Sequence, residues 1–276
     1  MLVALLFIAL QFSPVQTFFV QQIADYLNKK TGYPITIEQV ALNWIDELEL
    51  RGVAIYDDKD SLMIGIDRAV VDFSLKGLLD AEQPGLDAID LNKPEIYLYK
   101  NSADSGLNIN GFIRNLRDLL PTPKNKRKKR LPFTIDKVNL IQGQFAFHHP
   151  FKDSLAEGFD FNHFKITDIN ATTEDFLFFA DTVALGINFL SAYIPAQDFT
   201  IDTLQTDYLY SNTGMYFDNL LLKAGNSTLT DSLAFSYRDQ ASLDYFQDSV
   251  NIAIDFKNSY LESKDIKLFI PPLGAY

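Results

Sequence analysis

The sequence predicts a mainly β protein: an N-terminal membrane and amphipathic helix, then a long run of antiparallel strands with short helical insertions. Two observations carry that expectation. The first is an eight-residue phrase, apolar at positions one, three, six and eight around two polar residues, which recurs about nine times between Ile35 and Leu268. It reads Ile35-Thr-Ile37-Glu-Gln-Val40-Ala-Leu42, then Phe133-Thr-Ile135-Asp-Lys-Val138-Asn-Leu140, then Phe199-Thr-Ile201-Asp-Thr-Leu204-Gln-Thr206. Weaker copies begin at Ile64, Ile89, Phe164, Phe178, Met215 and Leu261, around pairs such as Asp67-Arg68, Asn92-Lys93, Thr167-Asp168, Asp218-Asn219 and Lys264-Asp265. Strict alternation marks a half-buried strand. A slip of one residue in the middle is what a β-bulge accommodates; it returns both apolar pairs to one face and bends the strand. The second observation is the aromatic load, 23 Phe and 13 Tyr, which suits strands and not a disordered chain.

At 276 residues with 47% hydrophobic content, the chain holds one large or two ordinary domains with ample core. Its net charge of −12 argues against nucleic-acid binding by the protein as a whole. The absence of Cys removes disulfides, thiolate metal sites and thiol nucleophiles, and fits a bacterial cell envelope.

The N-terminus carries Leu2, Leu5, Leu6, Phe7, Ile8, Leu10 and Phe12 in an almost wholly apolar stretch. Twenty helical residues span about 30 Å, enough for a bilayer core, but Gln11, Ser13, Gln16 and Thr17 dilute the second half. No Lys or Arg precedes the stretch. A truncated transmembrane anchor leads, with a signal peptide and a buried core helix as alternatives. Ser13 caps, or Pro14 kinks, the amphipathic helix that follows, and Gly32 stops it.

Four strands are expected at 35–43, 47–56, 62–74 and 86–100, interrupted by a helical turn over 74–79. Pro94 cannot donate to a ladder, so its strand should be an edge or break there. Asn110 caps a helix over 111–120, whose apolar residues Phe112, Ile113, Leu116, Leu119 and Leu120 keep helical spacing. Six of the seven residues from Lys124 to Arg130 are basic. Such a run reads as a solvated linker, with contact to anionic lipid head groups or a nucleic-acid role as alternatives. Strands are then expected at 132–148, 159–171, 176–190, 197–210, 214–222, 226–237, 248–257 and 260–269. Turns fall at 151–158, 172–175, 192–197 and 211–214, and no helical period is visible in this half. The division is an anchor and helix over 1–31, a first β unit over 32–120, a linker over 121–131 and a repeated β segment over 132–276.

Nucleotide, phosphate, hydrolase-elbow and zinc-protease motifs are missing from the sequence. Of the three histidines, His148 and His149 are adjacent in an expected strand and point to opposite faces, and His163 occupies a polar position. Solvated histidines outweigh metal or general-base chemistry. Asp57-Asp58-Lys59-Asp60 resembles a piece of a Ca²⁺ loop, but it lacks the glycine and the distal Glu, so a hairpin turn is the better account. Trp44, in phase with Val40 and Leu42, reads as core.

Several segments together resemble the opening of AsmA-like and TamB (translocation and assembly module) proteins of the Bacteroidetes type. They are Tyr26-Leu-Asn-Lys-Lys-Thr-Gly32 with Ile35 to Leu42, Leu48 to Tyr56, Asp60 to Leu62, Ile66 to Leu79, Ile89 to Leu91 through Tyr97 to Tyr99, Asn108 to Leu120, and the basic linker. The resemblance covers most of the first 145 residues, and its motifs are degenerate hydrophobic patterns. It implies a single inner-membrane anchor and a periplasmic body built as a long, twisted, taco-like antiparallel sheet with an apolar concave face. It also implies phospholipid movement between the membranes or outer-membrane assembly, with membrane phospholipids and assembly proteins as partners. The acidic charge and the missing motifs add the expectation of no nucleic acid, no cofactor and no enzymatic activity. On that reading Ile37, Leu42, Ile66, Val71, Ile135, Leu140, Ile201 and Phe217 would line a lipid furrow. Two departures stand out: such proteins are commonly far longer, and the front and back both read as truncated. A scaffold for outer-membrane barrels, acting by strand addition, and an extracellular adhesive or carbohydrate-binding β-solenoid are the rival expectations.

Overall fold

A computed structural model describes residues 13–43, 46–78, 84–102, 106–117, 132–155, 157–179, 181–239, 242 and 249–269. The expected anchor residues Leu2, Leu5, Leu6, Phe7, Ile8, Leu10 and Phe12 lie outside the described residues. So do Trp44, the helix end at 118–120, and the basic run. Among the described residues no helix is long and apolar enough to cross a membrane.

Helix α1 (Ser13–Thr31) ends at Gly32, whose φ of 72° and N–H bond to the Asn28 carbonyl close the last turn. One 12-stranded sheet follows. Its strands are β1 (Ile35–Thr36), β2 (Gln39–Asn43), β3 (Glu47–Tyr56), β4 (Leu62–Asp72), β5 (Gly85–Tyr99), β6 (Phe133–His148), β7 (His163–Phe179), β8 (Thr182–Ile194), β9 (Phe199–Ser211), β10 (Gly214–Ala224), β11 (Ser227–Tyr237) and β12 (Val250–Phe256). A short helix α2 (Leu75–Leu78) lies between β4 and β5, and α3 (Asn110–Arg117) between β5 and β6. A 3₁₀ turn (Pro195–Gln197) follows β8, and α4 (Ser263–Phe269) comes last. From β3 to β12 each strand pairs with the next in sequence, so the sheet is open and almost entirely a meander; β1 and β2 both pair with β3.

The expectation of purely antiparallel pairing is corrected at β5 and β6, which run parallel. Parallel neighbours need a crossover of a dozen or more residues, and the segment carrying α3 supplies it. Strands on either side of the basic run therefore share one sheet. Pro94 is not at an edge: it is buried in a central strand opposite Ile66 of β4. The chain kinks at Lys93 (φ 46°), and pairing with β6 skips from Asn92–Ile141 to Glu95–Gln144, so no ladder donor is missed. Gly143 opens the space beside it, since a Cβ there would lie 3.3 Å from the Pro94 ring.

Three other expectations change. The expected turn at 172–175 lies inside β7, where Asp175 (φ 52°) marks a kink rather than a reversal. The turn at 192–197 starts late, because Ala192 and Ile194 are buried strand residues. The last copy of the phrase, expected as a strand over 260–269, folds as α4. At three copies the slip coincides with a kink, Lys93, Asp168 and Asn219 having φ of 46°, 52° and 52°, whereas Gln142 and Asp175 kink outside any slip. The copy from Phe178, in the strand expected over 176–190, instead spans the break between β7 and β8. Register shifts flank Asp202 and Asn219.

Two clusters of buried residues pack against the sheet. The first joins Val20 of α1 and Phe112 of α3 to Ile35, Ile37, Val40, Val53 and Met63, with Leu27, Ile64 and Ile66 against it. Asn115 of α3 donates to the Thr31 carbonyl at 2.6 Å and ties the two helices together. The second joins Phe159, Ile194, Phe199 and Ala224, with Ile201, Leu222, Leu268 and Phe269 packed on it.

Candidate functional site

Cross-strand pairing assembles the copies of the phrase into rows. Leu50 pairs with Ala69, Ala69 with Leu91, Leu91 with Leu140, Leu140 with Ala171, Ala171 with Leu190, Leu190 with Leu204, Leu204 with Leu222 and Leu222 with Leu229. This aliphatic ladder crosses nine consecutive strands, β3 to β11, without a polar member. At a strand spacing of about 4.8 Å it extends about 38 Å. A neighbouring row runs Leu48, Val71, Ile89, Val138, Thr173, Ile187 and Thr206. A third runs Leu185, Tyr208, Phe217, Leu233 and Ile254, with the Tyr208 and Phe217 rings 4.9 Å apart.

The expected furrow residues divide into three groups along this face. Ile37 and Ile66 belong to the first cluster, under α1 and α3, and Ile201 belongs to the second, under α4. Ile135 is buried outside both clusters. Leu42, Val71, Leu140 and Phe217 are half-buried and outside both. Helices α1 and α3 thus cover the face over β1 to β4 and α4 covers it at the strand ends of β8 to β10, leaving half-buried apolar residues such as Val71, Leu140 and Phe217 outside both. Sequence reasoning passed over Ala69, Leu91, Ala171, Leu204 and Leu222, although each occupies an apolar position of a copy. Leu50, Leu190 and Leu229 lie outside the copies, and only register finds them.

Many of the residues between these positions are polar, although Val70, Ile141, Phe189 and Leu221 are not. In the copies, Asp67, Arg68, Asp136, Lys137, Asp202, Asp218 and Asn219 are exposed. Glu49, buried between Leu48 and Leu50 in sequence, accepts from Arg51 at 2.6 Å and from Arg68 at 2.9 and 3.1 Å. The Arg68 hydrogen bond leads, burial opposes it and Arg51 adds to it, so the carboxyl is held at about 2 against an ordinary 4.5. Asp72 shifts the other way: burial, then the carboxylates of Glu47, Asp90, Asp46 and Asp87, push it up. Asn139 donates to Asp90, and Gln144 donates to the Tyr97 hydroxyl, which donates to Glu95. The first two of these bonds link β5 to β6, and the third lies within β5.

Asp57 lies in the turn between β3 and β4, where it accepts from the N–H groups of Lys59 and Ser61 and from the Tyr99 hydroxyl. Burial raises its pKa, but those three donors outweigh burial and hold it down. The three histidines meet at one corner. The His148 and His163 rings are 4.8 Å apart, and His163 reaches the Asp160 carboxylate and the His149 carbonyl, both at 3.0 Å. No group of three or more His, Asp and Glu placed to hold a metal ion occurs among the described residues. A cavity of about 430 Å³ beside this corner is lined by Asp160, His163, Gln197 and Leu268 among others, and has no continuous apolar wall. The extended apolar face is therefore the candidate surface, and its chemistry is burial of hydrocarbon.

Comparison with protein-family models finds no match, and comparison with curated proteins finds none either.

Proposed function

We propose that this chain is a membrane-anchored periplasmic protein, not an enzyme, whose sheet carries phospholipid acyl chains between the inner and outer membranes. That is the role its resemblance to AsmA-like and TamB proteins implies. The observation that supports the reading is the nine-strand ladder from Leu50 to Leu229 on one face of an open sheet. Each methylene withdrawn from apolar surroundings costs about 0.8 kcal/mol unless the carrier covers it equally well. A broken surface would strand a chain halfway; an unbroken one makes transfer nearly balanced and reversible. The cluster of Val20 and Leu27 with the first strands also means that α1 supports the sheet, so the test uses the full chain.

A photo-crosslinking residue at Leu140 or Leu204 should give phospholipid adducts in cells, whereas one at the exposed Lys137 or Gln205 should not. Adducts absent from the first pair, or equal in both, would overturn the reading. A second reading, a scaffold for outer-membrane barrel proteins, draws on β12. That strand ends the sheet with residues 251–255 exposed, Ile252 at 51% and Ile254 at 58%. Strand addition there would yield protein adducts from position 254 in place of lipid adducts from position 140.

A further inference from the structure

Residues 259–269 form a strap across the end of β10 and β11. Tyr260 exchanges two backbone hydrogen bonds with Thr228, each 2.8 Å, and the Ser259 hydroxyl accepts from the Thr230 N–H at 2.9 Å. Asp265, on α4, is 9% exposed and its Oδ2 accepts from the Asn226 N–H at 2.8 Å and the Ser227 hydroxyl at 2.7 Å. Ser227 in turn accepts from the Glu262 N–H at 2.9 Å. Gly225 (φ 56°) makes room for that carboxylate, since a Cβ there would lie 2.7 Å from Oδ1 of Asp265 and 2.6 Å from the Phe199 ring.

At its far end the strap carries grease. Phe269 packs at a tilt against Phe159 and edge-on against Phe199, with centroids 5.4 and 5.3 Å apart, and the Phe159 N–H donates to the Leu268 carbonyl at 2.7 Å. Leu222, the eighth member of the aliphatic ladder, belongs to the cluster beneath. The apolar face therefore continues under the strap. Seven residues are too few to hold a helix alone, so α4 persists through these contacts.

We infer that the strap is a lid over one end of the apolar face, with Asp265, Ser227 and Asn226 as its latch. A long-chain acyl group reaching that end takes the place of Leu268 and Phe269 on Phe159, Phe199 and Ile201. The identity of this ligand rests on the function proposed above; the lid itself rests on the latch and the aromatic contacts.

Hydrogen exchange on the full chain tests it, comparing Asp265→Asn and Ser227→Ala with the parent. Both should speed exchange at the amides of Phe159, Thr228 and Tyr260 about tenfold or more, the factor expected from losing one hydrogen bond to a charged group. The amides of Val138 and Leu91 should not change. Titration with cis-parinaric acid should show a Kd several-fold lower in both variants. Unchanged exchange at the three amides, or equal acceleration at Val138 and Leu91, would overturn the lid. Selective acceleration without any fatty-acid binding in parent or variants would keep the lid and overturn the acyl ligand together with the proposed function.

Discussion

Replacing Glu49 with Gln should lower stability by an amount that depends on pH in a defined sense. The carboxyl is held at about 2 in the folded protein against an ordinary 4.5. At 1.36 kcal/mol per pH unit that difference is worth about 3 kcal/mol at most. Arg51 and Arg68 are 54% and 44% exposed, so solvent screening reduces the expected contribution to about 1–2 kcal/mol. The depressed value makes this stability fully present above about pH 4.5. It is lost progressively as pH falls towards 2. Urea denaturation of the parent and Glu49→Gln at pH 7, 5, 3.5 and 2.5 measures it. The gap between the two should be widest at pH 7 and 5 and close as the parent's carboxyl takes up its proton. A gap that is absent at pH 7, or equally wide at pH 7 and pH 2.5, would refute the reasoning. Glu49 alternates with Leu48 and Leu50 on β3, so the same measurement reports on the strand that begins the aliphatic ladder, where a one-residue slip would invert the two leucines.

Ile201→Asp should unfold the end of the sheet under α4, visible as an early thermal transition, because it puts a carboxylate against the Phe159, Ile194 and Phe199 cluster. Leu140→Asn, on the half-buried middle of the face, should cost far less stability while weakening acyl binding; comparable melting of the two variants would contradict the division of the face. Gly225→Ala should destabilise by about 1–3 kcal/mol in chemical denaturation, since φ is 56° and the added Cβ meets Phe199 and Asp265. A neutral result there would mean that the latch is looser than its geometry.

The kinked-strand architecture could be read from the chain because its causes are local. The slip at Asn92-Lys93, Thr167-Asp168 and Asp218-Asn219 is a property of eight consecutive residues, and Lys93, Asp168 and Asn219 duly adopt positive φ. Asp and Asn tolerate that conformation better than most side chains do. The last copy misled for an equally local reason. Its third position is Ser263, not an apolar residue, and Ser263 opens a helix that has Asp265 in its first turn and Lys267 in its last. Those are helix-start and helix-end signals that a weak strand pattern hid.

Partner choice among strands is another matter. The parallel match of β5 with β6 joins residues some 49 positions apart, and alternation says nothing about direction or neighbour. For the same reason Pro94 left both an edge and a break open, and the interruption of the β6 ladder that accommodates its missing N–H depends on what lies opposite. Periodicity told which side chains are oily and that each strand gathers them on one side. Register across nine strands joined them into the ladder, and long-range packing of α1, α3 and α4 settled which stretches of that face are covered, because burial depends on three-dimensional neighbours that no window of sequence contains.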